Sequence, residues 1–248
     1  MKKLSFTRKV SYVFKAVVSI GTLQAIKLAL TLFLERDVYL RPKGYQHPFL
    51  VRANHSDPRL VVTIFLQKQY QTPYKDKIKL IIDLGGNIGY SAIFFAQQYP
   101  EATIVVLEPD ITNYKILLKN VAPYPNILPL NQGVWWRKAR LAVTNPNSAS
   151  WGVQFAEANK GVEAVTIGSL LETYGQGKHT MIKMDIEGAE KDIFEKDTGW
   201  ISNILAIQLE IHNCWKTVFD ALLSYNYKGS LSGETILIDL ATNHPPLT

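Results

Sequence analysis

The strongest fold signal in the chain is the stretch Ile81-Ile82-Asp83-Leu84-Gly85-Gly86-Asn87-Ile88-Gly89-Tyr90-Ser91. It predicts a buried strand, then a glycine-rich turn, then the start of a helix. The glycines allow positive φ and a close approach of the backbone to a ligand, because no Cβ stands in the way. Apolar residues recur after the turn at helical spacing, at positions 92, 95, 96 and 99. A strand, a glycine turn and a helix form the first half of a nucleotide-binding βαβ unit.

The details of this turn favour a ligand other than a dinucleotide. The order is Gly-Gly-Asn-Ile-Gly rather than Gly-x-Gly-x-x-Gly, so the spacing that seats a pyrophosphate on a helix N-terminus is absent. Asp83 would also place a negative charge where phosphate oxygens need hydrogen-bond donors. A cofactor with a cationic amino-acid end and no phosphate suits that acid better, and S-adenosylmethionine is such a cofactor.

A second acid follows at the expected distance. The run Thr103–Leu107 predicts a second buried strand, and it ends in Glu108-Pro109-Asp110. Glu108 comes 25 positions after Asp83, which is roughly one βα unit, the distance at which an acid at a strand end binds ribose hydroxyls. Asp83 as a helix cap and Glu108 as a surface charge are the alternatives. The two acids together favour ligand binding.

Three motifs together resemble the FkbM family of S-adenosylmethionine-dependent methyltransferases. They are residues 83–89, Glu108-Pro109-Asp110, and Ile182-Lys183-Met184-Asp185-Ile186-Glu187-Gly188-Ala189-Glu190, of which the last is the most family-specific. The resemblance covers residues 50–240. It implies a doubly wound α/β fold, the Rossmann-like class I methyltransferase sheet, with helices on both faces and an N-terminal helical and β extension. The sheet would be mostly parallel, with its last strand antiparallel in a pair formed by 225–228 and 235–238.

The resemblance and the strand positions together predict the cofactor-binding residues. Gln132 and Gly133 follow a third apolar strand, Ile127–Leu130, and by position should border the adenine. The complete predicted set is Asp83, Gly85, Asn87, Gly89, Tyr90, Glu108, Pro109, Gln132, Gly133 and Asp185.

Candidate catalytic residues end the fourth and fifth strands, since ligands bind at the carboxyl ends of strands in such sheets. Asp185 and Glu187 end the fourth strand, whereas Glu210 and His212 end the fifth and should share one face. Methyl transfer to a hydroxyl gains from a positioned base. Asp185, Glu210 and His212 are therefore the predicted catalytic residues, with Asp185 holding either the methionine end or the acceptor and His212 a candidate base.

Two alternatives remain open at this site. The first is a divalent metal bound by Asp185, Glu210 and Asn213, as in the catechol O-methyltransferases. The carboxylates would suit such an ion, but nothing in the sequence fixes the geometry of the three side chains. We therefore assign no metal ligand. Glu187 and Glu190 are alternatively caps of the following helix, and capping is the favoured interpretation for Glu190.

The positive charge of the chain is concentrated at its N-terminus. The formal net charge is +6, from 27 Lys and Arg against 21 Asp and Glu. The basic residues that precede the first acid, Glu35, are Lys2, Lys3, Arg8, Lys9, Lys15 and Lys27. The rest of the chain is neutral and lacks the basic stripe that a nucleic-acid partner needs, so we expect no such partner.

Residues 1–34 are also apolar and patterned as a helix. A cleaved signal peptide is disfavoured because Lys15 interrupts the apolar region. A membrane-spanning helix is disfavoured because Lys27 would cost about 2.5–3.5 kcal/mol at its centre. Packing on the domain or in a dimer, and peripheral association of a basic amphipathic helix with an anionic membrane, stay open.

These patterns predict three regions: a basic apolar leader, residues 1–36; a pre-domain of strands and a helix, 37–76; and the S-adenosylmethionine-binding domain, 77–248. The pre-domain strands are expected at 37–41 and 49–52 and its helix at 60–70, with Ser56 or Asp57 as its cap. Cys214 is the single cysteine, which excludes an internal disulfide and fits a reducing compartment. We therefore expect a cytoplasmic protein, at the membrane surface if the leader binds lipid.

The methyl acceptor is the least constrained part of the prediction. The fourth strand lacks the Asn-Pro-Pro-Tyr-like motif of methyltransferases that act on adenine. FkbM-like enzymes are mostly linked to hydroxyl methylation of sugars and natural products, so the resemblance implies a hydroxyl of a sugar in a glycan or glycoconjugate. A small natural product, a dehydrogenase activity and a catalytically silent membrane-associated scaffold are the alternatives.

Overall fold

The computed structural model describes residues 5–74, 76–145, 153–175 and 177–240. Lys2 and Lys3 of the leader and the last eight residues of the predicted cofactor domain lie outside these ranges. The main element is a seven-stranded sheet with the order β12-β13-β11-β10-β3-β4-β5. Its strands, in chain order, are β3 (Leu80–Leu84), β4 (Thr103–Leu107), β5 (Ile127–Leu130), β10 (Thr180–Met184), β11 (Ala206–Leu209), β12 (Lys228–Ser232) and β13 (Thr235–Asp239).

The centre of this sheet forms because its strands are mostly apolar. Every residue of β3, β10 and β11 is buried, as expected of parallel strands that are covered on both faces. β3 pairs in parallel with β4 on one side and with β10 on the other, so the strand order reverses at β3. Such a switch point opens a crevice at the carboxyl ends of the strands. The doubly wound α/β fold predicted from the sequence is confirmed.

Helices cover the sheet and connect its strands. They are α4 (Tyr90–Gln98), α5 (Ile111–Val121), α6 (Ile167–Tyr174), α7 (Glu190–Lys196) and α8 (Trp215–Leu222), with short 3-10 turns at Gly177–His179 and Ile201–Asn203. Helix α4 is buried along Tyr90–Ala96 and not on one face alone. The pre-domain packs against this helix through contacts that include Tyr70 with Phe95 and Phe49 with Tyr90, which adds to the burial.

The last two strands pair antiparallel, as predicted, but one boundary was wrong. β13 is antiparallel to both β11 and β12. β12 begins at Lys228, where the predicted strand at 225–228 was to end. Tyr225 and Tyr227 instead pack on the core beside α8, because their rings find apolar partners there before the strand begins.

A second, four-stranded sheet was not predicted. Its order is β6-β9-β7-β8, formed by β6 (Gly133–Val134), β7 (Ala139–Val143), β8 (Phe155–Glu157) and β9 (Val162–Val165). These strands are short, and all but β6 are only partly buried, which is why periodicity did not reveal them.

The pre-domain is a hairpin followed by a helical segment. β1 (Val38–Leu40) and β2 (Phe49–Val51) pair antiparallel, within the predicted strand ranges. Helix α3 (Asp57–Leu60) continues as the π-helical segment Val61–Leu66, so the helix starts earlier and ends earlier than 60–70. Of the two predicted caps, Ser56 stands at the N-cap position but makes no side-chain cap hydrogen bond, and Asp57 is fully buried and accepts from the Arg52 guanidinium at 2.9 Å instead. Burial favours that pair over a cap, because a desolvated carboxylate needs a cation.

The leader forms a helical hairpin. α1 (Phe6–Ile20) and α2 (Thr22–Leu34) meet at Gly21, whose φ of 93° lets the chain reverse. Ala16, Ile20, Ala25, Leu28 and Leu32 pack into the same apolar core as α4 and the pre-domain. None of the helices that the structure describes is long and apolar enough to cross a membrane.

Candidate functional site

A cleft lies at the carboxyl ends of the central strands, where the switch point predicts it. Nine of the predicted site residues line it: Gly85, Asn87, Tyr90, Glu108, Pro109, Gln132, Gly133, Asp185 and Glu210. Asp83, Gly89 and His212 are not among its lining residues. Glu187 and Lys183 line it, and the pre-domain contributes Ser56, Arg59 and Gln69.

The glycine turn is held tightly against its surroundings. Gly85 has φ of 80°, and a Cβ on it would lie 1.9 Å from the Asp185 carbonyl oxygen. A Cβ on Gly86 would lie 2.1 Å from a methyl group of Val106. The amides of Gly85 and Gly86 both donate to the Leu107 carbonyl. Glycine is therefore required here by close approach as well as by conformation.

Glu108 joins the turn to the second strand. Its Oε2 accepts from the Asn87 amide at 2.8 Å, and its Oε1 accepts from the Asp110 amide at 2.9 Å. Asp110 in turn caps α5 through Thr112 and Asn113. Burial raises the pKa of Glu108 to about 8, against the lowering effect of the two backbone donors. The carboxyl group is fixed in the cleft and has acceptor capacity left for hydroxyl donors.

Asp83 lies beneath the cleft. It is fully buried, accepts from the Ser91 hydroxyl at 2.5 Å, and lies 3.2 Å from Lys183 Nζ. Lys183 also donates to the Gly85 carbonyl at 2.8 Å. Burial alone would lower the pKa of Lys183, but Asp83 raises it above the usual value and keeps the ammonium charged. Direct contact of Asp83 with a ligand stays a prediction, whereas its contacts here support the turn from behind.

Two buried acceptors in the cleft lack a partner among the described residues. They are Asn87 Oδ1 and Ser56 Oγ, and both side chains belong to the lining. An unpaired buried polar atom is costly, so such atoms mark places where a ligand or water completes the hydrogen bonding. A ligand with hydroxyl or ammonium donors fits them.

At the other end of the cleft, His212 lies within a group of four carboxylates. Its Nδ1 is 2.9 Å from Glu190 Oε1, and its Nε2 is 3.5 Å from Glu187 Oε2. The same Nε2 lies 3.8 Å from Glu210 Oε1 and 3.9 Å from Asp185 Oδ1. The strands end at Met184 and Leu209, so strand alternation does not place these side chains. Loops after the strands bring them together.

Glu190 has a structural role in this group, but it is not the predicted cap of α7, whose N-cap is Ala189. It is fully buried and accepts from the amides of Ile186 and Gly188, which belong to the loop before α7. The bonds close that loop and leave Glu190 to hold the His212 ring. Glu187 has φ of 55° and points its carboxylate at the other ring nitrogen instead.

The protonation of the group is set by burial and mutual charge. The hydrogen bond to Glu190 raises the pKa of His212 to about 9. Burial raises the pKa of Glu187 to about 7 and that of Glu210 to about 8, with Asp185 adding to both. Burial also raises the pKa of Asp185, while Lys183 and His212 oppose the rise. Groups with pKa values near neutrality are suited to proton transfer.

A metal-binding geometry is present in part of this group. Asp185, Glu187 and His212 each offer one ligand atom, and these atoms lie within 4.8 Å of one another. The set differs from the alternative raised from sequence, since Asn213 is exposed and Glu210 is not included. No role for a metal follows from the geometry alone.

Residues missed from the sequence lie at the mouth of the cleft. The Arg59 guanidinium pairs with the Glu234 carboxylate, and both line the cleft. Ser232 Oγ donates to the Gln69 carbonyl at 2.8 Å. These contacts join the pre-domain to the β12–β13 turn across more than 160 residues, a distance over which no local pattern carries information.

Comparison with known proteins supports one family. The methyltransferase FkbM domain model matches residues 83–228, which is more than half of the chain. "Methyltransferase 1" of Beauveria bassiana is 25% identical, over 57% of this chain and 69% of that protein.

Solved structures show a weaker likeness. Fibrillarin of Methanococcus jannaschii, described as a pre-rRNA processing protein, has a TM-score of 0.44 at 13% identity, over 83% of this chain and 81% of that chain. Aeropyrum pernix fibrillarin, solved with bound S-adenosyl-L-methionine, has a TM-score of 0.42 at 14% identity, over 73% of each chain.

Proposed function

The chain belongs to the FkbM methyltransferase family, and we propose that it transfers the methyl group of S-adenosylmethionine to a hydroxyl of a sugar in a glycan or glycoconjugate. The observation that carries the proposal is the position of Glu108 and the glycine turn in one cleft with Asp185 and Glu210. The first pair suits a cofactor with a ribose, and the second suits a hydroxyl acceptor.

The residues of the cleft fit this cofactor. Glu108 would accept from the ribose hydroxyls, and Gln132 and Gly133 would border the adenine. Asn87 Oδ1, a buried acceptor without a partner among the described residues, offers a place for an ammonium or hydroxyl donor. The cofactor supplies an electrophilic methyl group on a sulfonium, which a positioned oxygen nucleophile can attack.

Asp185 is the proposed base. It lines the cleft beside Gly85, and two cations, Lys183 at 3.8 Å and His212 at 3.9 Å, favour its ionised form. An ionised carboxylate at this place would accept the hydroxyl proton. Glu210, whose pKa is raised to about 8 by burial, would hold the acceptor as a hydrogen-bonding partner. His212 would position the two carboxylates, since its Nε2 lies near both.

The side chains of the acceptor end favour a sugar over a nucleic acid. Asp185, Glu187, Glu210 and Glu234 all line the cleft, and Arg59 is paired with Glu234. These oxygen acceptors suit a polyol, which supplies many hydroxyl donors, better than a phosphodiester, whose oxygens are acceptors themselves. A small natural product with hydroxyl groups is the second candidate acceptor, favoured by the same observation. We further propose that the protein works in the cytoplasm at a membrane surface.

The proposal is tested by labelled-methyl transfer. The full chain is incubated with cell extract and with S-adenosylmethionine that is labelled on its methyl group. The extract is then fractionated into glycan, lipid, protein, nucleic acid and small molecules. We expect the label in the glycan or glycolipid fraction, where it should be recovered as a methyl ether of a sugar. Label confined to nucleic acid or protein would contradict the acceptor class. Cofactor binding by calorimetry without any transfer would instead support a catalytically silent scaffold.

A further inference from the structure

The α1–α2 hairpin carries an apolar face that no other described part of the chain covers. Its exposed apolar side chains are Phe6, Val10, Phe14, Val17 and Val18 in α1, and Leu23, Ile26, Phe33 and Leu34 in α2. Phe14 is 72% exposed and Val18 is 76% exposed. Within each helix the spacing of three, four and seven residues puts these side chains on one side.

The two sets of side chains form one surface. The rings of Phe6 and Phe33 meet edge to face, with their centroids 5.8 Å apart, and so join the first turn of α1 to the last turn of α2. Lys9 donates to the Leu32 carbonyl, and its ammonium lies 5.4 Å from the Phe33 ring centroid. The opposite faces of both helices are packed into the core. Soluble proteins seldom expose a contiguous apolar surface of this kind without a partner.

The charges within the two helices have one sign. Arg8 and Lys15 are exposed on α1, and Lys27 of α2 donates to the Tyr39 carbonyl at an exposed position. Between residues 5 and 34 the sequence contains no acid. An apolar helix face with a basic rim matches the boundary between acyl chains and anionic headgroups.

We propose that this face of the α1–α2 hairpin docks on an anionic membrane surface. A second copy of the chain fits less well, because a two-fold interface would place the basic rim against itself. An anionic membrane can contact both parts of this surface. Its acyl chains can bury the nine apolar side chains, and its negative headgroups can pair with the basic rim.

Docking through this face would bring the cleft close to the lipid. α1 packs on the π-helical segment and α2 packs on α3. The same two elements line the cleft through Arg59, Leu60, Thr63 and Ile64. The hairpin itself and one further layer of helix thus separate the docking face from the cleft. The consequence rests on the proposed function: the acceptor is a glycan attached to a lipid and not a freely soluble sugar.

The test measures vesicle binding by the full chain. Sedimentation is compared with vesicles of phosphatidylcholine alone and with vesicles that also contain phosphatidylglycerol. Three variants are used: Phe14→Ser with Val18→Ser, Arg8→Gln with Lys15→Gln, and the matched control Leu231→Ser, which removes a side chain that is 79% exposed on β12. We expect binding that requires the anionic lipid, a loss of about tenfold or more in affinity in each double variant, and no change in the control.

Several outcomes would overturn the docking face. They are absence of vesicle binding by the unaltered chain, equal binding to both vesicle types, and unchanged binding by the Phe14 and Val18 double variant. A dimer in size-exclusion chromatography that this variant dissociates, without vesicle binding, would assign the face to a second copy. Calorimetry with S-adenosylmethionine on the same samples separates the two proposals, because failed cofactor binding would contradict the proposed function and leave the docking result standing.

Discussion

The two ends of the cleft are built by different means. At the glycine turn, the shape is fixed by the backbone: amides of Gly85 and Gly86 bond to Leu107, and the Asn87 amide bonds to Glu108. At the other end, the arrangement is set by charge pairing between side chains, since the His212 ring lies within 3.9 Å of four carboxylates. The first end is suited to hold a ligand in one pose, and the second is suited to exchange protons.

This difference predicts different consequences of substitution. A change at the reaction end should alter rate and pH dependence while the cofactor still binds. A change at the glycine-turn end should alter affinity first. Three substitutions test whether the two ends are separable in this way, from the largest expected effect to the smallest.

Asp185→Asn should cause the largest loss. The amide keeps the shape of the side chain but cannot accept a proton, so we expect the rate of methyl transfer to fall about 10²–10⁴-fold. Lys183 keeps its buried partner Asp83, so the protein should fold. Single-turnover transfer of labelled methyl measures the rate, and calorimetry measures cofactor affinity. Asp220→Asn, at an exposed acid on α8, is the matched control. An unimpaired rate would remove Asp185 from the reaction end.

Glu108→Gln should weaken cofactor binding by about 10- to 100-fold, because the amide nitrogen cannot accept from a ribose hydroxyl and a buried hydrogen-bonding group left unpaired costs about 1–3 kcal/mol. The amide nitrogen would also face one of the two backbone donors that Glu108 now accepts from. Calorimetry with S-adenosylmethionine measures the affinity. Asp110→Asn changes the neighbouring carboxylate but retains the cap of α5, and should leave the affinity nearly unchanged. Equal affinity of the Glu108 variant and the unaltered chain would refute the ribose contact.

Glu190→Gln should have the smallest effect, and one that depends on pH. The Glu190 carboxylate raises the pKa of His212 to about 9, so the variant should return that pKa toward 6.5. When folding raises the pKa of a histidine, the stabilisation is complete at pH values below the pKa of that histidine in the unfolded chain. It is lost as the pH rises through the pKa of the histidine in the folded protein. The variant should therefore be less stable by roughly 1–3 kcal/mol below pH 6.5, with the difference shrinking by pH 9.

The measurements for Glu190→Gln are urea unfolding across this pH range and an NMR titration of the His212 ring. A His212 pKa that stays near 9 in the variant would show that the other carboxylates, and not Glu190, hold the charge.

Much of the fold could be predicted from local pattern. The burial of β3 and β4 follows from mostly apolar runs, and the turn at residues 85–89 follows from its glycines. Other elements could not be predicted in this way. β12 is exposed along most of its length, and its position depends on pairing with β13 instead of on its own side chains. The four-stranded sheet likewise depends on pairing between short segments that have no clear periodicity.

The site divides along the same line. Asn87, Glu108 and Asp185 could be found from sequence because each follows a buried strand directly or lies in the turn after it. The contact between Arg59 and Glu234 could not, since it joins segments far apart in the chain. The buried ion pair between Asp83 and Lys183 could not be predicted either. The strand pattern places both residues near the ligand end of the sheet, but it does not show how deeply their side chains are buried.

The sequence by itself determined the glycine turn, the acid that follows the second strand and the location of the positive charge in the leader. These depend on neighbouring residues, through backbone freedom, strand burial and net charge. Only the tertiary structure decided that His212 lies among four carboxylates, that Lys183 is paired beneath the cleft, and that the leader folds back at Gly21 with one apolar face outward. Those features depend on which surfaces meet when distant segments pack, and the energies of burial and charge pairing are set only at that point.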